Sequence, residues 1–191
     1  MRVIAGSQKG RRLMRPAGPG LRPTSDRVRE ALFSILSPRT VGARFLDLYA
    51  GTGAIGIEAL SRGAQQSTFV ESHPASLLVL RENLSRCGLT ASSEIRSCPA
   101  SLFLKRSARE DAPYDIVFAD PPYHEGDGGS ALLSSIATSV IITDTSLVVL
   151  EHFSKMTVPP QVGRLVRLRQ YRYGDTTLSV FRLQAEGDPS P

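Results

Sequence analysis

Nowhere in this 191-residue chain is there an apolar run long enough to cross a bilayer, which takes about 20 consecutive residues. The start, Met1-Arg2-Val3-Ile4-Ala5-Gly6, lacks the apolar stretch of a secretory leader, so a cytoplasmic protein with no membrane partner is expected. Cysteine is scarce. Cys87 and Cys98 have neither the spacing of a metal site nor a secretory context, and reduced thiols are expected. His73, His124 and His152 are not spaced as ligands, so no metal is expected. Internal repeats and low-complexity segments are absent too. What remains suffices for one domain with a real core and, at most, a small appendage.

Charge is unevenly spread. The whole chain carries a net +5, yet residues 1–30 hold eight Lys/Arg against two Asp/Glu, so the rest is close to neutral. A cluster of this kind points to a phosphate-rich partner or to a solvated arm. Two short β-like runs, 2–5 and 12–15, flank the turn Gly6-Ser7-Gln8-Lys9-Gly10-Arg11 and predict a hairpin with a basic tip. Residues 16–23 read as loop. Val28, Ala31, Leu32, Ile35 and Leu36 then follow the spacing of one buried helix face, with Thr24 or Ser25 as N-cap and Arg27 and Arg29 off the stripe.

From residue 44 onward, strands and helices alternate. Strands are expected at 44–49, 67–71, 94–97, 114–119 and 147–151, with helices over 54–62, 74–87, 100–109 and 130–139. Beyond Pro159-Pro160 the pattern becomes two alternating runs, 163–173 and 176–183, turning at Gly174-Asp175. The expected fold is α/β: a mostly parallel, Rossmann-like, seven-stranded sheet ending in an antiparallel hairpin, plus the small N-terminal hairpin. The corresponding divisions are 1–20 for the basic hairpin, 21–185 for the main domain and 186–191 for a disordered tail.

Two strand ends carry the candidate chemistry. The run 114–119 stops at Asp120-Pro121-Pro122-Tyr123, because prolines fix φ and donate no N–H. A carboxylate, a free carbonyl and an aromatic ring thus gather at the carboxyl end of a strand, where open α/β sheets bind ligands. An exocyclic amine on a nucleobase has two N–H donors and needs two acceptors, which Asp120 and the Pro121 carbonyl can supply while Tyr123 stacks on the ring. A plain strand terminator is the bland alternative.

The other strand end is Ala50-Gly51-Thr52-Gly53, followed by Ala54-Ile55-Gly56. It satisfies G-x-G-x-x-G, and Glu71 stands 20 residues after Gly51. That is the pattern of a dinucleotide site. A nucleoside methyl donor, S-adenosylmethionine, uses the same parts: Glu71 takes its ribose diol, and an acid near its cationic end is favourable. Asp47, four residues before Gly51, supplies such an acid where a dinucleotide site more usually has an apolar residue. Together with Asp120–Tyr123 this favours the methyl donor. Asp47 can equally cap the glycine loop.

Asp47-Leu48-Tyr49-Ala50-Gly51-Thr52-Gly53 and Asp120-Pro121-Pro122-Tyr123 resemble motifs I and IV of class I amino-methyltransferases. Arg22-Pro23-Thr24-Ser25-Asp26-Arg27-Val28-Arg29-Glu30-Ala31-Leu32-Phe33 resembles the N-terminal signature of the RsmD-type 16S rRNA guanine-N2 methyltransferases. Gly56–Ala64, Glu151-His152 and Tyr173-Gly174-Asp175-Thr176 are similar in the same order, so the likeness covers nearly the whole chain. It implies methylation of a guanine N2 in 16S rRNA, within the small ribosomal subunit or its assembly intermediate, by a monomer. It also implies cofactor contacts from Asp47, Tyr49, Ala50–Gly53, Glu71 and Ser72, with Thr24 and Arg27 at the methionine end. Lys9, Arg11, Arg12, Arg15 and Arg22 would contact RNA. Many relatives carry an Asp where this chain has Ser97-Cys98-Pro99-Ala100, so backbone groups near Cys98 would meet the adenine. Alternatives from the same motifs are a DNA amino-methyltransferase, for which no groove-reading insertion is present, and a protein-glutamine methyltransferase, which uses an Asn form of motif IV. A third is an inactive RNA-binding assembly factor, which intact Asp47, Glu71 and Asp120 argue against.

Overall fold

Where a sequence alternates short apolar runs with amphipathic ones, strands must bury both faces under helices. In the computed structural model, which describes residues 1–15, 24–106, 112–122 and 129–184, that pattern is realised in two compact units, Met1–Ala100 and Ser101–Pro191.

The first unit holds α1 (Asp26–Leu36), β1 (Arg44–Leu48), α2 (Ala54–Ser61), β2 (Gln66–Glu71), α3 (Pro74–Cys87) and β3 (Ser93–Ser97). Its strands lie in the order β3-β2-β1, all parallel, with Leu46 opposite Thr68 and Phe69 opposite Ile95. Phe45, Leu46, Leu48, Phe69 and Val70 are buried, whereas β3 is half exposed, as its polar sequence requires. Ser25 caps α1 through the Val28 N–H, and Gly88 ends α3 in the left-handed conformation (φ 64°).

The second unit contains most of α4 (Ala100–Arg106), then β4 (Ile116–Ala119), α5 (Ser130–Thr138), β5 (Leu147–Phe153), β6 (Gln161–Val162), β7 (Leu165–Tyr173) and β8 (Thr176–Leu183). Its strand order is β4-β5-β8-β7-β6, with β4 and β5 parallel and the remaining pairs antiparallel. The eighth strand, β6, is an addition to the expected seven. It is two residues long, directly after Pro159-Pro160, and carries too little periodicity to read. A bulge between Arg167 and Arg169 leaves Leu168 exposed. Residues 186–191, expected to form the tail, lie outside the described residues, as do Pro16–Pro23.

The N-terminal segment is the main departure. It folds back on itself, with one antiparallel bridge, Arg2 to Arg12. It does not stand off as an arm: Val3 and Leu13 are buried, and buried polar side chains of the first unit stitch it down. Glu58, fully buried on α2, accepts from the Ile4 and Ala5 N–H groups at 2.7 and 2.9 Å and from Arg62 at 2.7 Å. The Ser61 hydroxyl accepts from the Gln8 N–H and donates to the Ala5 carbonyl. At Gly6 (φ 81°) a Cβ would sit 1.7 Å from the Ser61 carbonyl oxygen, so backbone meets backbone there and only glycine fits. Arg29, expected off the buried stripe, is fully buried and donates to the Arg2 carbonyl at 2.7 Å and to Asp26 at 2.8 Å. The buried face of α1 is therefore Val28, Arg29, Leu32, Phe33 and Leu36. No helix among the described residues is long and apolar enough to cross a membrane.

Candidate active site

In the first unit, β1 ends at Leu48 and the chain must reverse into α2. Tyr49 takes φ 87°, rare for a residue with a side chain and costly by roughly 1–3 kcal/mol. The Tyr49 and Ala50 N–H groups both donate to the Val70 carbonyl at 3.0 Å, which holds that strained turn against β2. Gly53 closes it with a bond to the Ala50 carbonyl at 2.7 Å. Gly53, as N-cap of α2, has no side chain to satisfy the free helix N–H groups. Asp47, buried within β1, accepts instead from the Gly56 N–H at 3.0 Å. The acid in the strand thus caps the glycine loop.

Glu71 closes the loop from β2. One carboxylate oxygen accepts from the Gly51 N–H at 2.8 Å, the other from Ser72 and His73 N–H, both at 2.7 Å. A carboxylate offers about four acceptor positions, so three are filled and one is left for a hydroxyl. Above Gly51 there is open space: a Cβ there would meet nothing within 4 Å. Gly53 and Gly56 serve packing instead, since a Cβ on either would come within 2.3 Å of Leu80 or Phe69.

Beneath the loop lies a residue the sequence reading passed over. Asn83, fully buried on α3, donates to the Thr52 carbonyl at 3.0 Å, accepts from the Met14 N–H at 2.7 Å and donates to the Met14 carbonyl at 3.3 Å. One amide ties the basic N-terminal segment to the glycine loop. The available signal was a polar residue on the stripe Ser76, Leu80, Asn83, Leu84, Cys87, where apolar side chains belong. Of the remaining expected contacts, Thr24 precedes the Ser25 cap of α1 and is half-buried, Arg27 lies in the first turn of α1 and is exposed, and Ser72 is exposed. The Cys98 N–H is taken by the Arg96 carbonyl at 3.0 Å.

In the second unit, all four residues of β4 are buried and Asp120 follows at once, only part-exposed. Burial pushes its carboxyl up from 3.8 to about 7. Its side chain makes no hydrogen bond to another described residue. Pro121 is half-buried and Pro122 exposed. Tyr123 and His124 lie outside the described residues. On β5, His152 is buried, accepts at Nε2 from the Ser179 hydroxyl (2.8 Å) and donates from Nδ1 to the Phe153 carbonyl (2.9 Å). Gln170 in turn donates to Ser179. Burial lowers the His152 pKa, and the neutral ring is a structural link.

Residues 1–182 match the family model described as Conserved hypothetical protein 95. The chain belongs to this family. Over 182 residues it is 37% identical to a putative rRNA methyltransferase, YlbH, of Bacillus subtilis, spanning 95% of this chain and 98% of that protein. Over 126 residues it is 44% identical to ribosomal RNA small subunit methyltransferase D of Escherichia coli, spanning 66% of this chain and 62% of that protein. The solved structure described as putative methyltransferase yhhF from Escherichia coli aligns with a TM-score of 0.84 at 33% identity, over 97% of this chain and 98% of that one. The chain is a class I methyltransferase with a Rossmann-like α/β fold, an enzyme that uses S-adenosylmethionine. The first unit fits that cofactor: open space over Gly51, an acceptor position left on Glu71, and a loop fixed from below by Asp47 and Asn83.

Lys9, Arg12 and Arg15 are exposed; Arg22 lies outside the described residues. Arg11 is exposed but committed, donating to Gln8 and to the Arg86 carbonyl at 2.9 Å each. Of the arginines on β7 and just before it, Arg164, Arg167 and Arg172 donate to the Gln184, Val158 and Gly174 carbonyls, which gives them a structural role at the hairpin.

Proposed function

We propose that this enzyme methylates the exocyclic N2 of a guanine in 16S rRNA, within the small ribosomal subunit or an assembly intermediate. The observation that carries this is Asp120, a carboxyl at the end of a buried strand, with its pKa raised to about 7 and followed by two prolines. S-adenosylmethionine, when bound, supplies an electrophilic methyl group. Glu71 and the Ala50–Gly53 loop hold its nucleoside, with Ser72 beside Glu71 and Thr24 toward the methionine end. Asp120 and the Pro121 carbonyl accept the two N–H bonds of the guanine amine and orient its lone pair, and Tyr123 stacks on the ring. As the nitrogen gains the methyl it becomes acidic. A carboxylate with a pKa near 7 is matched to take that proton at neutral pH. The base must be unpaired or flipped for its N2 to be reached. The names of relatives, one a small-subunit rRNA methyltransferase, support the RNA assignment. The exposed Lys9, Arg12 and Arg15 support phosphate contacts that position the enzyme without reading bases.

The test is transfer of a radiolabelled methyl group to small subunits from a strain lacking the enzyme, followed by nucleoside analysis. N2-methylguanosine at one position is the expected product. Label on DNA, on protein or nowhere would refute the reading.

A further inference from the structure

The N-terminal segment does more than carry charge. A cleft of about 310 Å³ opens in the first unit, with Arg2, Val3, Ile4 and Lys9 on one wall. The first turns of α1 form the other, through Asp26, Arg27 and Glu30. That volume is at the lower end of small-molecule sites, about 300–1,000 Å³. We propose that this cleft seats a second nucleotide of the substrate RNA, distinct from the guanine that is methylated, and that it reads the base as well as the phosphate. The proposal rests on the RNA assignment above.

Three observations carry it. First, the walls are fixed. Arg29 is fully buried and donates to the Arg2 carbonyl on one wall and to Asp26 on the other. Glu58 grips the Ile4 and Ala5 N–H groups from behind. A preformed cleft loses little entropy on binding. Second, the cations are available. The side chains of Lys9 and Arg27 make no hydrogen bond or ion pair with a described residue, and both are exposed; Arg27, which the resemblance assigns to the methionine end of the cofactor, lines this cleft together with Lys9. Third, the cleft is not a bare phosphate track. Asp26 is held ionised by its bond to Arg29, which keeps its carboxyl below the usual range, and Glu30 stands one helical turn beyond it. Carboxylates repel phosphate, so cations alone would serve a track better. Beside three cations, the Glu30 carboxylate matches a nucleotide: phosphate on Arg2, Lys9 and Arg27, and a base edge with N–H donors on Glu30. Guanine, with N1–H and N2–H adjacent, presents the best-matched pair. Ile4, half-buried on the cleft wall, offers the apolar surface to the base.

Binding of small subunits and of a 16S rRNA fragment, titrated against salt, tests this. Arg27→Ala and Lys9→Ala should each weaken RNA binding about three- to tenfold and lower the salt slope by about one. Glu30→Gln is the decisive variant. It should weaken binding by at least about fivefold, although it removes a negative charge, because a base contact is lost. Tighter RNA binding by Glu30→Gln would overturn the proposal, since the cleft would then be a phosphate track. So would unchanged binding by Arg27→Ala and Lys9→Ala. Loss of S-adenosylhomocysteine affinity in calorimetry, with RNA binding intact in Arg27→Ala, would assign the cleft to the cofactor and also overturn it. Wild-type enzyme that binds RNA normally but places no methyl on guanine N2 would sink the functional reading while leaving the cleft measurement valid.

Discussion

Carboxylates end strands in both units, but they are held in opposite ways. In the first unit Asp47 and Glu71 are bonded to backbone N–H groups before any ligand arrives: Gly56 for the one, Gly51, Ser72 and His73 for the other. In the second unit Asp120 follows a fully buried strand and makes no hydrogen bond to a described residue, and burial pushes its pKa up to about 7. Backbone N–H donors stabilise a charged carboxylate; burial without donors disfavours the charge. The first arrangement gives a rigid binding loop. The second gives a group whose protonation changes at physiological pH, which suits chemistry more than scaffolding.

The largest effect should come from deleting the second kind of carboxylate. Asp120→Ala should cut kcat by about two to four orders of magnitude while cofactor affinity barely changes, as for one lost partner of a transition state. Asp120→Asn should retain more activity, because its amide oxygen still accepts one bond. Single-turnover methyl transfer with calorimetry alongside separates the two quantities. If Asp120→Ala kept near-wild-type turnover, the loop would revert to a strand terminator.

A smaller effect is expected at the first kind. Glu71→Ala removes the acceptor for the cofactor and the clamp on Gly51, and should weaken S-adenosylhomocysteine binding by about 1.5–3 kcal/mol. Equal affinity for wild type and variant in calorimetry would reject this placement. Smaller still, Asn83→Ala should lower stability by about 1–3 kcal/mol, since the buried amide's bonds to the Met14 N–H, the Met14 carbonyl and the Thr52 carbonyl are all lost. It should also loosen cofactor binding severalfold by freeing the Thr52 carbonyl. A thermal melt and a calorimetric titration read these separately, and a melt that shifts without any change in affinity would break the link between Met14 and the loop.

Much of this was legible in the sequence because it rests on local rules. Alternating apolar runs located β1, β2, β4 and β5, and Gly88 ended α3 where its left-handed cap sits. Asp47 as a cap for the glycine loop, and Asp120 at a strand end, follow from motif spacing. What stayed hidden depends on contacts between residues far apart in the chain. Nothing near Glu58 or Asn83 announces that their partners are Ile4, Ala5 and Met14, some 53 to 69 positions away. Arg29 reads as surface because arginine usually is, until the N-terminal segment covers it and its carbonyl at Arg2 takes a bond. The basic cluster was visible as charge. That Arg11 is tied to Arg86, while Lys9 and Arg27 share a cleft, was not.

The central claim is that Asp120 must be ionised to accept the guanine amine, and the pH dependence of kcat/KM tests it most directly. The shift has a defined sign: a carboxyl raised from 3.8 to about 7 is largely protonated at pH 6 and largely ionised at pH 8. The stability linked to the neutral form is correspondingly full below pH 4 and lost as pH rises through about 7, so activity should climb where that stabilisation fades. For wild-type enzyme on small ribosomal subunits, kcat/KM should rise across pH 6–8 with an apparent pKa near 7, and Asp120→Asn should be flat over the same range. A flat wild-type profile, or the same rising limb in Asp120→Asn, would contradict the account.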